Sequence, residues 1–189
     1  MATQDSRIKI KRSTITATVP TVPSSNDHTD GTWIATDIYK GELFFNQADG
    51  VLWSRDDNGV TCLGGSASLT IASADVLTLN TTPITIVGAV AGHAIEVVSA
   101  SVKIDFNTTP YATEAAIYLQ TNGANTLQAK CAFLDATLTR SSRFETTFVG
   151  SATDTQLIPN SDLEIICPSD PTAGDSDITV FVNYRLIPA

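Results

Sequence analysis

Histidine is nearly absent from the chain: His28 and His93 are the only two in 189 residues, and they stand far apart. Metal centres and acid–base chemistry need closer partners, and no His-x-x-x-His or His-Glu-x-x-His spacing occurs. Cysteine is scarce as well. Cys62, Cys131 and Cys167 are odd in number, widely separated and without a Cys-x-x-Cys pair, which fits neither a disulfide framework nor a zinc site. Thiols of that kind suit a reducing cytoplasm. No Gly-x-Ser-x-Gly marks a serine hydrolase, and Gly64-Gly65 lacks the lysine and helix of a phosphate loop. The longest mostly apolar run, residues 84–98, is broken by Thr85, His93 and Glu96, so no membrane span and no membrane partner are expected. The first twenty residues hold no apolar core of signal-peptide length, which points to synthesis in the cytoplasm. No segment shows a capped helical period of 3.6.

What remains is not the inventory of an enzyme. No cofactor, no metal ligand and no catalytic residue is expected. His28 with Asp27 and Asp30 reads as a solvated turn. Residues 170–177 carry three carboxylates, as a hard cation would favour, but without EF-hand spacing they read as an ordinary acidic loop. Tyr111, Tyr118 and Tyr184 could stack on a sugar ring, although packing explains them more simply.

The net charge is −9, unevenly distributed. Arg7, Lys9, Lys11 and Arg12 crowd the first twelve residues, while residues 26–60 are predominantly acidic. An acidic body argues against nucleic acid as a partner. Ile8 and Ile10 alternate with Arg7, Lys9 and Lys11, the period of a short, charged edge or docking strand. Pro20 and Pro23 then impose an extended course. Residues 1–25 therefore read as a basic extended arm with a proline linker.

Residues 41–53 form the next block. Leu43, Phe44 and Phe45 make one apolar arm and Val51, Leu52 and Trp53 another, with Asp49-Gly50 ending the link between them. Asp and Gly tolerate the positive φ of tight turns, so the block predicts a β-hairpin. Two strands cannot bury three aromatic rings alone. The cover comes either from symmetry copies or from the rest of the same chain. Residues 26–63 are assigned to this hairpin module and residues 64–68, rich in Gly and Ser, to a linker.

Residues 69–189 read as a β-sandwich of jelly-roll type. Short strand candidates lie at 76–79, 84–87, 95–106, 115–120, 127–133, 144–149, 163–167 and 178–186. The last is the clearest, with Ile178, Val180, Val182, Tyr184 and Leu186 in strict alternation. Asn122-Gly123 is a hairpin signal. The fold class is thus all-β.

Several blocks resemble tailed-bacteriophage virion proteins. Arg-Ile-Lys-Ile-Lys-Arg-Ser-Thr (7–14), residues 20–25, Asp-His-Thr-Asp-Gly-Thr-Trp (27–33) and Asp-Ile-Tyr-Lys-Gly-Glu-Leu-Phe-Phe (37–45) are similar to the N-terminal module of phage fibre and tropism-type proteins. Residues 96–106 and 108–113 resemble β domains in virion proteins of podoviruses and crAss-like phages. The resemblance implies a homotrimeric head fibre or capsid decoration on the virion surface. Arg7, Ile8, Lys9, Ile10, Lys11 and Arg12 would anchor it to capsid or tail proteins, and Leu43, Phe44, Phe45, Leu52 and Trp53 would form the trimer core. The other reading is a tail fibre or receptor-binding tip that recognises host surface glycans.

Overall fold

In a computed structural model the described residues are 10–23, 34–113, 116–121, 126–132, 134–145 and 157–189. In chain order the elements are β1 (Lys11–Ser13), β2 (Leu43–Asn46), β3 (Val51–Arg55), β4 (Val60–Ile71), α1 (Ser73–Val76), β5 (Ile84–Val87), β6 (His93–Asp105), β7 (Ala116–Thr121), β8 (Thr126–Ala132), β9 (Arg140–Arg143), β10 (Leu163–Ile166) and β11 (Asp177–Pro188). The described residues are all-β apart from the single turn of α1. Among the described residues no helix is long and apolar enough to cross a membrane. The chain divides into two compact units, Met1–Gly64 and Gly65–Ala189.

In the first unit the strands run in the order β1-β2-β3-β4. Strands β2 and β3 form the expected antiparallel hairpin, with Phe44 opposite Trp53 and Phe45 opposite Leu52. The turn closes at Gly50, whose φ of 66° is one that glycine adopts without strain. Because side chains alternate along a strand, the hairpin has two faces. Phe44, Val51 and Trp53 are buried on one, and Leu43, Phe45 and Leu52 lie half-buried on the other.

The second unit is a sandwich of two four-stranded antiparallel sheets, β4-β11-β6-β9 and β5-β10-β7-β8. Counted within this unit, the first sheet takes its strands in the order 1-8-3-6 and the second 2-7-4-5, which is the winding of a jelly roll. The core lies between the sheets. From β11 come Ile178, Val180, Val182, Tyr184 and Leu186, and from the facing sheet Ile117, Leu119, Leu163 and Ile165, all buried. Each such side chain contributes about 1.5–3 kcal/mol of burial free energy.

The sandwich is stitched at the edge where β9 ends. Phe144 N–H still bonds Ala100 C=O at 2.9 Å, after which Glu145 pairs with Lys130 on the other sheet. The chain thus crosses between layers. Gln128 of β8 fills the ladder that β9 leaves open: its carbonyl accepts from Val97 N–H at 2.9 Å, and its NH₂ donates to Ile95 C=O at 2.8 Å.

Some expected elements differ. Residues 76–79, expected as a strand, are the end of α1 and the turn after it, with Val76 and Leu79 buried as plugs. Two apolar residues three apart fit one helical face as well as a strand. Residues 64–68, expected as a linker, lie inside β4. Gly65 serves close approach rather than flexibility, since a Cβ there would sit 2.7 Å from the Tyr184 ring. Of the strand expected at 144–149, Phe144 and Glu145 follow β9 and bond to β6 and β8 in turn, and residues 146–149 lie outside the described residues. The Asn122-Gly123 signal also lies outside them, although β7 and β8 on either side of it pair antiparallel.

Candidate assembly interface

The two groups of residues singled out for interaction meet in the first unit. Strand β1 pairs parallel with β2, placing Lys11 opposite Phe44, Arg12 opposite Phe45 and Ser13 opposite Asn46. Strand β1 thus lies along the hairpin and shares only Lys11 with the alternating stretch 7–11 expected to form a docking strand. Arg7, Ile8 and Lys9 lie outside the described residues.

Within β1 the two basic residues have different surroundings. Lys11 is held inside its own chain: Nζ is 2.9 Å from a Glu42 carboxylate oxygen, donates to Asp37 C=O at 2.6 Å and stands 5.4 Å above the Tyr39 ring. Arg12 is exposed, and so is Ile10 just before β1.

Residues 10–23 are fastened by three polar clamps that sequence reasoning did not single out. Asn46, 1% exposed, donates through Nδ2 to Ile15 C=O (3.1 Å), Thr18 C=O (3.2 Å) and Asp49 Oδ2 (2.6 Å), and accepts from Ala48 N–H at 3.0 Å. Asp49 Oδ2 also accepts from Ala17 N–H at 2.6 Å. Asp37, buried, accepts from Thr21 Oγ1 at 2.6 Å and from Ile34 N–H at 2.9 Å. Only the Asn-x-x-Asp spacing in the hairpin turn hinted at these clamps, because Asn and Asp readily bond nearby backbone.

The proline segment is correspondingly not a free linker. The extended course imposed by Pro20 and Pro23 lets Thr21 between them pair with the chain at 36–38. Thr21 N–H bonds Thr36 C=O and Thr21 C=O accepts from Ile38 N–H, each at 3.0 Å. Both prolines are buried.

Of the five hairpin residues assigned to a trimer core, Phe44 (0% exposed) and Trp53 (2% exposed) are buried in the single chain. Cover for those two rings needs no second copy. What the hairpin leaves for a neighbour is the half-buried face of Leu43, Phe45 and Leu52. Elsewhere the first unit exposes Ile10, Ile15, Val22, Ile34 and Leu63.

Several of the remaining candidates have structural roles. The carboxylates of 170–177 bond three different segments. Asp170 accepts from Asn80 and Thr81 N–H, Asp177 from Ser73 N–H, and Asp175 from Thr108 and Thr109 N–H and the Thr108 hydroxyl. The Thr108 hydroxyl bond and then the backbone N–H bonds hold the Asp175 carboxyl below its ordinary range. Among the described residues no group of three His, Cys, Asp or Glu side chains could hold a metal ion. His93 Nδ1 is 2.9 Å from Ala91 C=O, and His28 lies outside the described residues. Cys131 and Cys167 are buried, Cys62 half-buried; burial raises the Cys131 thiol's pKa. Tyr111 and Tyr184 are buried and cannot stack on a ligand. Tyr111 instead donates to Ser176 C=O at 2.5 Å, and burial, with Asp177 and Asp175 nearby, pushes its phenol upward.

No family model and no curated protein matches the chain. Among solved structures it is similar to a chain of the cyanophage Pam1 capsid asymmetric unit, at 16% identity and a TM-score of 0.38, over 66% of this chain and 84% of that one. That neighbour is a phage virion chain, and at this distance the likeness carries no argument about the role of the present protein.

Proposed function

We infer that the protein is a structural component of a tailed-phage virion: a homotrimeric head fibre or capsid decoration. The first unit is its assembly end and the jelly roll its outward domain. The reading draws on the sequence blocks that resemble phage fibre modules, and one observation carries it further. Ile10, Ile15, Val22, Ile34 and Leu63 are exposed on the smaller unit, while the described part of the larger jelly roll exposes only Val98, Leu138 and Phe181 among its large apolar side chains. Apolar surface concentrated in that way marks contact with another chain. A three-fold arrangement would cover the Leu43, Phe45 and Leu52 face with its own copies, leaving residues before the clamps to reach the particle.

The clamps also decide how attachment is tested. Removing residues 1–25 would take away β1 and the partners of Asn46 and Asp37, whereas removing residues 1–9 leaves every clamp intact. Phage particles carrying the 1–9 deletion, stained with antibody to the jelly roll, should lack label that full-length particles show on the head. Label of equal density on both particles would refute anchoring by this arm, and absence of label from full-length particles would refute the virion role.

A further inference from the structure

The outward face of the sheet β4-β11-β6-β9 carries a groove of about 450 Å³ whose lining includes Val98, Ser99, Ser101, Arg143, Phe181 and Asn183. Its volume lies within the roughly 300–1,000 Å³ typical of small-ligand sites. Register explains its composition. On β11, Phe181 and Asn183 alternate with the core residues and so face away from the core. Opposite them on β6 stand Ser101 and Ser99, and Arg143 of β9 is opposite Ser101.

Val98 does not belong there by simple alternation. Ile104, Val102 and Ala100 point inward, and the same period would send Val98 into the core. A bulge intervenes: Ser99 pairs with Asn183 and Val97 with Tyr184, so Val98 is an extra residue without a partner. The phase flips, Val97 and Ile95 fill the core, and Val98 turns outward at 57% exposure on the same groove as Phe181 at 46%. Bulges commonly re-aim side chains in this way beside functional surfaces.

The chemistry of the groove selects its occupant. Two apolar side chains are set among hydroxyls and an amide, and protein interface cores are depleted in serine. A protein partner would leave those hydroxyls dry and unpaired. Nucleic acid needs several cations, and only Arg143 is offered here. A sugar matches each part. Its C–H face suits Phe181 and Val98, and its hydroxyls, which both donate and accept, suit Ser99, Ser101 and Asn183. Ser99 Oγ accepts from Asn183 Nδ2 at 3.1 Å, which leaves the serine O–H free to donate. Neighbouring charges are already closed on one another, Glu96 on Arg185 and Lys103 on Asp105. Arg143 has no ion pair among the described residues, and its planar fork fits a carboxylate.

We propose that this groove binds an acidic saccharide. One pyranose ring lies on Phe181 and Val98, its hydroxyls bond Ser99, Ser101 and Asn183, and its carboxylate pairs with Arg143. The proposal does not depend on the virion reading, since the groove is complete within one jelly roll.

The test is titration of the full chain with trigalacturonate, 3′-sialyllactose, neutral maltotriose and glucose 6-phosphate, followed by saturation-transfer NMR. At least one carboxylated sugar should bind about tenfold more tightly than maltotriose. Phe181→Ala should abolish binding, and Arg143→Gln should bring the acidic sugar down to the neutral level. Circular dichroism of both variants should match the parent, since both side chains are exposed. No transfer from either carboxylated sugar, binding unchanged in Phe181→Ala, or equal binding of glucose 6-phosphate would each overturn the assignment. So would a change in the chain's oligomeric mass in Phe181→Ala, which would make the face an interface between copies.

Discussion

Replacing Asn46 with alanine tests the clamps that convert an extended arm into part of a folded unit. The side chain is 1% exposed and makes four hydrogen bonds, the shortest to a carboxylate at 2.6 Å. A neutral hydrogen bond contributes about 1 kcal/mol net and one to a charged group about 1.5–3 kcal/mol. Ile15 C=O keeps a second donor, the Thr18 hydroxyl at 2.7 Å, and water can replace the lost amide at Thr18, so those two bonds count for little. The Asp49 and Ala48 bonds remain, giving an expected loss of about 3 kcal/mol. With an m-value of about 1.5 kcal/mol/M in urea, the midpoint should fall by about 2 M. The chain offers a selective probe, because Trp33 and Trp53, its only tryptophans, both belong to the first unit. Tryptophan fluorescence should therefore register the shift, while the circular dichroism transition of the jelly roll stays in place. A fluorescence midpoint that moves by less than about 0.5 M would refute the clamp.

Gly174→Ala should destabilise the jelly roll by about 3 kcal/mol in urea titration. The residue has φ 125°, and a Cβ there would sit 2.1 Å from Tyr111 Cδ1; a stability equal to the parent's would show that the Tyr111 ring is free to move. Glu164→Gln should act in the opposite direction at neutral pH. Burial first, and the nearby Asp162 second, raise the Glu164 carboxyl above its unfolded pKa, so the folded state holds this proton more tightly than the unfolded state does. The parent therefore gains stability from this group as pH falls through the folded pKa, and above that pKa its ionised form is a liability. The glutamine variant should melt higher than the parent at pH 7, with the gap closing at acid pH. A gap independent of pH would refute the cause.

Legibility of the fold followed the strength of the alternation. The nine-residue alternation ending at Leu186 marked β11, and with it the central strand of one sheet, because burying one face of a strand admits a single phase. The hairpin at 41–53 was equally plain, since its turn chemistry and apolar arms agree. Features that depend on another segment were not legible. Gly64-Gly65 has the composition of a linker, and only pairing with β11, which sets Tyr184 opposite Gly65 from more than a hundred residues away, shows it to lie in a strand. Val98 looks like core until the bulge at Asn183 flips its phase. Phe44 and Trp53 announced an aromatic surface in need of cover, but not that the chain covers both rings itself. The candidate sugar face was invisible for the same reason: Phe181, Ser99 and Arg143 become neighbours only through the pairing of three strands.

Assembly of three copies of the chain by the first unit is the proposal on which the fibre reading stands. Its most direct test is the native mass of the purified full-length protein at low micromolar concentration. A species of about 60 kDa, three times the 20.0 kDa chain, is expected, and it should dissociate when Phe45 and Leu52 are both changed to charged residues while the jelly roll stays folded. A stable species of one chain mass, persisting at tens of micromolar, would contradict it.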